Sequence, residues 1–136
     1  MVFIKAGGEE QRFDCYYLRM HADSAARPLA DNQVDLIVDV FRMLADPTRI
    51  RVLWALTEGE SSVNELAEKV DKPAPSVSQH LAKLRLARLV RTRRAGTTIF
   101  YSLENEHVGQ LVLDAVFNAE HAGPGVPTHH RNVHAR

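Results

Sequence analysis

The chain of 136 residues has almost no cysteine, and Cys15 is its single thiol. One thiol excludes a disulfide framework within the chain and any metal site built on a cysteine pair, so we expect a cytoplasmic location. Long hydrophobic runs are also missing, because no stretch approaches the roughly 18 apolar residues of a membrane-spanning helix. The sequence therefore predicts one small domain with no membrane partner.

Acidic residues are absent between Lys72 and Leu103, although the whole chain is neutral, with 17 basic and 17 acidic residues. The basic residues of this interval are Lys72, Lys83, Arg85, Arg88, Arg91, Arg93 and Arg94. A local positive field attracts a polyanion, and nucleic acid is the usual one. The next segment, 104–130, holds carboxylates and histidines but no Lys or Arg. A candidate DNA-binding element thus adjoins a candidate cation-binding element.

The two ends of the chain carry weaker patterns than its middle. Residues 1–31 are expected to be a flexible N-terminal extension, and residues 123–136 a tail that contains histidines. The opening segment is not a signal peptide, because it lacks an apolar centre and contains Glu9, Glu10 and Asp14. Met20 could be the physiological start, which would place residues 1–19 upstream of it, and a genuine flexible arm is the alternative.

Two amphipathic helices are predicted in the first half of the domain. The first follows a cap at Asp31 or Asn32, and its apolar stripe is Val34, Ile37, Val38, Phe41 and Leu44. Asp46 and Pro47 suit the start of the second, because Asp accepts a backbone N–H and Pro lacks one that would be unpaired there. Gly59 is placed to end this helix, which carries Ile50, Leu53, Trp54 and Leu56.

A helix-turn-helix and a β-hairpin are predicted next. Ser62 and Glu65 form a capping box that opens a short helix through Val70, and Pro75 starts another. The apolar positions of that second helix are Val77, Leu81, Leu84 and Leu86. Segments 89–94 and 97–103 are rich in β-branched and aromatic residues, and Ala95–Gly96 supplies the turn between them.

A last helix completes the predicted fold. It runs from about Asn105 to His121, with the apolar stripe Val108, Leu111, Val112, Ala115, Val116 and Ala119. The expected fold class is mainly α with a β-hairpin wing. It is a winged helix-turn-helix domain over 32–122 that forms a homodimer through its terminal helices.

Polar side chains cluster on the first turns of the helix that begins at Pro75. A helix that enters the major groove needs such residues there, and the candidates for base contacts are Ser76, Ser78, Gln79 and His80. Lys83 and Arg85 can reach phosphates, while Arg93 and Arg94 are expected at the hairpin tip, within reach of the minor groove or backbone. A solvated basic face is the alternative. For His80 alone the alternative is metal ligation, which is less favoured because no carboxylate is near it in sequence.

Two strings carry a family resemblance: FRMLADPTRIRVLWAL and SVNELAEKVDKPAPSVSQHLAKLRLARLVRTRRAGTTIFYSL. They resemble the ArsR/SmtB family of metal-responsive winged-helix repressors. The following LENEHVGQLVLDAVFNAEHAGPG and the His-His tail are similar to its KmtR-type, nickel/cobalt-responsive branch. The resemblance implies a homodimer that binds double-stranded operator DNA, represses a promoter and releases it when metal binds.

The chain departs from the family pattern at both of its usual metal sites. The first helix of the helix-turn-helix has no Cys-x-Cys pair. On the last helix, zinc sensors carry Asp-x-His and His-x-x-His, whereas this chain has Asn105, His107, Asn118 and His121. The four-ligand tetrahedral set is therefore broken, which favours a different metal or additional ligands.

A metal site is expected to span the dimer. His107 and His121 are 14 positions apart, about 21 Å along a helix at ~1.5 Å per residue, whereas ligands bind one ion within ~2.2 Å. An antiparallel copy of the helix would bring the two together across a two-fold axis. The candidate ligands are His107, Glu120, His121, His129 and His130. Such a nitrogen and oxygen set favours Ni(II) or Co(II) as effector, with Zn(II) possible.

Alternatives remain for these residues and for the whole chain. His107 could be a surface histidine, and His129 and His130 could be idle in a disordered tail. The chain could instead be an ArsR-type DNA-binding regulator that senses Zn(II) or a non-metal signal. A small metalloenzyme is disfavoured, because the sequence has no Gly-x-Ser-x-Gly, no His-Glu-x-x-His and no Gly-rich phosphate loop. We therefore expect that the chain is not an enzyme.

Overall fold

The computed structural model of the chain describes residues 2–6, 9–13 and 27–124, which fall in two units, Met1–Ile37 and Val38–Arg136. In the first unit, strand β1 (Val2–Ala6) pairs antiparallel with β2 (Glu9–Phe13), with Val2 opposite Phe13. The expected flexible extension thus contains a β-hairpin. The sequence pattern missed it because only a few of its residues, Val2, Phe3, Ile4 and Phe13, favour strands.

Helix α1 (Asp31–Leu44) begins one residue earlier than either predicted cap allows. The Ala30 carbonyl accepts the first helical hydrogen bonds, from the N–H groups of Gln33 at 2.9 Å and Val34 at 3.1 Å. The Gln33 side-chain oxygen in turn accepts from the Ala30 N–H at 3.1 Å. Ala30 therefore occupies the cap position, and the prediction of Asp31 or Asn32 there was wrong.

The predicted apolar stripe of α1 is largely uncovered. Only Leu44 of the stripe packs against the core, together with Val40 and Met43, which were not part of the predicted stripe. The other stripe residues are exposed: Val34 40%, Ile37 41%, Val38 38% and Phe41 57%. No residue of α1 is buried. The periodicity predicted the helix correctly, but most of the predicted apolar face is exposed to solvent, and a different side of the helix packs against the core.

Helix α2 (Pro47–Leu56) starts as predicted. The Asp46 carboxylate accepts from the Arg49 N–H at 2.9 Å, and Pro47 occupies the first turn. Val52, Leu53, Ala55 and Leu56 are buried, whereas Trp54 is 39% exposed, because it lies off the face that Leu53 and Leu56 share. The helix ends before Gly59, with Thr57 at the C-cap.

The helix-turn-helix consists of α3 (Val63–Val70) and α4 (Ala74–Leu86). The predicted cap of α3 is confirmed: the Ser62 hydroxyl accepts from the Glu65 N–H at 3.3 Å and donates to its carboxylate at 3.1 Å. Helix α4 begins one residue before Pro75. Its fully buried residues are Val77, Leu81 and Leu84, and Leu86 is 86% exposed, contrary to its predicted place on the apolar face.

The wing is a hairpin of β4 (Val90–Ala95) and β5 (Thr98–Leu103). Ala95 pairs with Thr98, so the loop is Gly96–Thr97 and not the predicted Ala95–Gly96. A short strand β3 (Ser61–Ser62) adds to the other edge of β5, which gives the order β3-β5-β4. Two serines carry no alternating hydrophobic pattern, so the sequence could not predict β3.

Helix α5 (Glu106–Ala122) ends the described chain, and its N-cap Asn105 accepts from the Val108 N–H at 3.2 Å. Of the predicted stripe only Val108 and Val112 are buried, while Ala115 and Ala119 are exposed. No helix in the described part of the chain is both long and apolar enough to span a membrane. The predicted winged helix-turn-helix fold is confirmed.

Candidate DNA-binding surface and metal ligands

Helix α4 presents one polar stripe to solvent. Its buried side, Val77, Leu81 and Leu84, fixes the helix on the core, and the residues on the other side point outward at helical spacing. Ser78, Gln79, Lys83 and Arg85 are exposed there, and Ser76 is half-buried at the edge. This stripe has the polar first turns and basic later turns that a major-groove helix needs.

His80 departs from this pattern because its ring turns back toward α2. Its side chain is 20% exposed, and Nδ1 lies 3.9 Å from Oδ1 of Asp46. That nitrogen is buried and makes no hydrogen bond to the described residues. The contact is longer than a hydrogen bond and is therefore electrostatic. The sequence could not show this carboxylate, because Asp46 is distant from His80 along the chain.

The environment of Asp46 favours its charged form. The Arg49 backbone N–H is the largest cause that lowers the pKa of this carboxyl below its ordinary value, and the positive charges of Arg49 and His80 add to it. The same carboxylate therefore caps α2 and faces the imidazole of α4. Asp46 therefore connects the start of α2 to α4 through its electrostatic contact with His80.

Arg93 does not lie at the hairpin tip, as was predicted, but within β4 opposite Phe100. Its Nε and Nη2 atoms donate to the Glu60 carboxylate at 3.1 and 2.5 Å. The guanidinium carbon lies 5.0 Å from the centroid of the Phe100 ring. The hydrogen bond between the two lowers the pKa of Glu60 and raises that of Arg93. Sequence reasoning missed Glu60, because only the unpredicted strand β3 places it beside the wing.

Arg94 is the wing cation closest to the loop. It pairs with Ile99 and is exposed. Alternation along a strand places it on the face opposite Arg93. Arg93 and Arg94, which were both predicted to lie at the hairpin tip, therefore have different surroundings.

The described metal candidates lie on α5 but are not gathered. His107 is in the first turn and His121 in the last, both exposed, and Glu120 is half-buried. No group of three or more His, Cys, Asp or Glu that could hold a metal exists within the described residues. His129 and His130 lie outside those residues. The imidazole and carboxylate donors suit a cation chemically, but the helix keeps its two histidines at opposite ends.

A cavity of about 730 Å³ opens between α2, α3 and α5. Its apolar lining includes Trp54, Val70 and Val116. Lys69 and Glu58, which also line it, form an ion pair at 3.5 Å. Trp54, which lies off the buried face of α2, is therefore part of the wall of this cavity.

Comparison with known proteins gives consistent matches along the domain. The model of a family described as "Bacterial regulatory protein, arsR family" matches residues 46–92. The HTH-type transcriptional regulator KmtR of Mycobacterium tuberculosis is 77% identical over 112 residues, which cover 82% of this chain and 86% of KmtR. The HTH-type transcriptional regulator NmtR of the same organism is 35% identical over 103 residues, 76% of this chain and 86% of NmtR.

Solved structures show the same fold. The homodimeric winged helix-turn-helix DNA-binding domain of Mb0332 from Mycobacterium bovis superposes with a TM-score of 0.63 at 28% identity, over 74% of this chain and 96% of that one. The transcriptional repressor BigR from Xylella fastidiosa superposes with a TM-score of 0.56 at 28% identity, over 79% of this chain and 96% of BigR. These relatives are regulators or DNA-binding domains and not enzymes, so the expectation that this chain is not an enzyme is confirmed.

Proposed function

Because this chain belongs to the ArsR family of bacterial regulatory proteins, it is a transcriptional regulator, and we propose that it is a homodimeric repressor that Ni(II) or Co(II) releases from operator DNA. The observation that carries the assignment as a regulator is the 77% identity with KmtR over most of both chains. The donor set supports the choice of metal, because histidine and carboxylate without thiolate suit these ions.

The DNA interface of this proposal is α4 and the wing. Ser76, Ser78 and Gln79 lie on the first turns of α4, where a docked helix places its side chains against base edges. Lys83 and Arg85 follow on the last turns and would neutralise phosphates. His80 contributes less to this surface than the sequence suggested, since most of its ring is covered.

In this proposal a second copy of the chain covers the exposed apolar surface and provides the second DNA-reading helix. The uncovered apolar face of α1 and the exposed alanines of α5 offer surface for a two-fold interface. Such a dimer would present two α4 helices to successive major grooves, about 34 Å apart. If the two α5 helices pack antiparallel, the first turn of one, with His107, would lie beside the last turn of the other, with His121.

The metal ligands of this proposal are His107, Glu120 and His121, together with His129 and His130 of the tail. A cation bound by residues of both subunits would supply a cross-link that favours one arrangement of the dimer. DNA release follows if that arrangement no longer matches the groove spacing, because a ligand shifts an equilibrium only by its preference for one state. Asn105 is not a ligand here, since its side chain caps α5.

Fluorescence anisotropy with a labelled duplex from the chain's own promoter tests the proposal. Wild-type protein should bind the duplex and be released by Ni(II) or Co(II). His107→Ala and His121→Ala should bind DNA normally but resist release. Gln110→Ala is the matched control on the same helix, because within the described residues its side chain donates to Asp114 alone, at 2.8 Å. Normal release of both histidine variants would refute the ligand assignment.

A further inference from the structure

The two faces of β4 divide the basic residues of the wing. Arg93 lies across from Phe100 and Arg91 from Ser102, and Arg91 Nε donates to the Ser102 hydroxyl at 3.4 Å. Arg94 lies across from Ile99 on the other face. A DNA backbone that approaches the wing therefore meets arginines in two different electrostatic settings.

Arg93 already has an acidic partner within the chain. Its planar guanidinium donates two hydrogen bonds to one carboxylate, which is the geometry in which Arg binds phosphate. Phe100 covers one face of the group. The pair is part of the outer surface, with side-chain exposures of 57% for Arg93 and 43% for Glu60. DNA near this pair would meet the negative charge of Glu60 beside the positive charge of Arg93.

Arg94 forms no ion pair within residues 27–124, and it stands next to the exposed loop Gly96–Thr97. A phosphate can therefore bind Arg94 without displacing an acidic side chain. The difference between the neighbours arises from Glu60, which the short strand β3 holds against the edge of β5.

We infer that Glu60 is an internal counter-charge that occupies Arg93, so that Arg94 rather than Arg93 is a phosphate contact of the wing and Glu60 weakens DNA binding. The inference rests on the proposed function, because it requires that the chain binds DNA. Each phosphate that a protein neutralises adds about 0.9 to the slope of log K against log salt. Glu60 thus keeps one such contact unused in each subunit, which is two in the proposed dimer.

The test measures anisotropy of full-length protein on a labelled 30-base-pair duplex of arbitrary sequence at several KCl concentrations. Glu60→Gln should free Arg93 in both subunits of the dimer, tighten binding several-fold at low salt and steepen the slope by about 1.8, twice the value for one phosphate. Arg94→Gln should weaken binding and flatten the slope by a similar amount. Glu58→Gln is the matched control, because it removes the same charge from a carboxylate that pairs with Lys69 away from the wing. Its slope should equal that of wild type.

The double variant Glu60→Gln/Arg93→Gln distinguishes two cases: that Glu60 keeps Arg93 from DNA, and that Arg93 itself binds a phosphate in the wild type. It should keep the wild-type slope, since neither member of the pair then contributes. If Arg93 bound phosphate in the wild type, the double variant would lose about 1.8 from the slope, one contact per subunit, and Glu60→Gln alone would leave it unchanged. Either result would overturn the inference. Absence of any binding by wild-type protein would instead refute the proposed DNA-binding function itself.

Discussion

Asp46 combines two roles in one side chain, as the N-cap of α2 and the neighbour of His80. Asp46→Ala removes the acceptor for the Arg49 N–H, so we expect a loss of about 1 kcal/mol in the free energy of unfolding. Urea denaturation at pH 7 measures it. Asp39→Ala is the control, because Asp39 and its partner Arg42 are both largely exposed and should contribute little. An equal effect of both substitutions would contradict the capping role.

The same carboxylate makes stability depend on pH. Its pKa is lowered in the folded chain, first by the Arg49 N–H. The unfolded chain therefore binds the proton more tightly, and the contribution of Asp46 is complete above the ordinary aspartate pKa of about 3.9. It disappears as the pH falls through the lower folded value. The difference between wild type and Asp46→Asn should accordingly shrink from pH 6 to pH 3 in urea melts. A difference that grows on acidification would contradict this.

Residue contacts were predictable from the sequence only where they are local. The caps at Asp46 and Ser62 join residues three positions apart, so their side chains are sufficient to identify them. The contacts of Glu60 with Arg93 and of Asp46 with His80 join residues more than thirty positions apart. Only the packed fold brings these charges together, and both contacts changed the expected role of a basic side chain.

The wing depends on one unusual backbone conformation. Gly96 opens the two-residue loop with φ +62°, which residues with a Cβ rarely adopt, although no atom lies within 4 Å of the position of an added Cβ. Gly96→Ala should therefore cost about 1 kcal/mol through strain alone. Gly96→Asn should cost less, since Asn tolerates this conformation better. Thermal unfolding compares them, and equal stability of all three proteins would disprove the strain.

At the scale of elements, periodicity predicted the described helices of the domain but not which faces are covered. The predicted buried face of α4 is correct for Val77, Leu81 and Leu84, because these positions recur at helical spacing on one side of the helix. On α1, neighbouring residues such as Val38 and Val40 are both apolar, and periodicity alone could not decide between them. The chain packs Val40 inward and leaves Val38 exposed.

The exposed apolar face of α1 leads to a prediction about the whole molecule, namely that this helix forms part of the dimer interface. Val38 and Phe41 are 38% and 57% exposed, and we expect a second copy to cover them. Val38→Glu/Phe41→Glu should therefore sediment as a monomer. It should also lose at least a hundredfold in affinity for a two-half-site operator, because linked binding is lost. Leu86→Glu is the control for sedimentation, since this exposed leucine lies on α4 and should leave the dimer intact. A dimeric double variant would exclude α1 from the interface.

Metal and DNA act on the same dimer in the proposed function, so their effects on each other must be equal. If Ni(II) weakens DNA binding by some factor, DNA must weaken Ni(II) binding by that same factor, typically 5- to 150-fold. Two titrations measure it: DNA affinity with and without Ni(II), and Ni(II) affinity with and without operator. His107→Ala/His121→Ala should bring both factors close to one. Unequal factors in the wild type would show that the metal removes DNA by a process other than equilibrium coupling, such as aggregation.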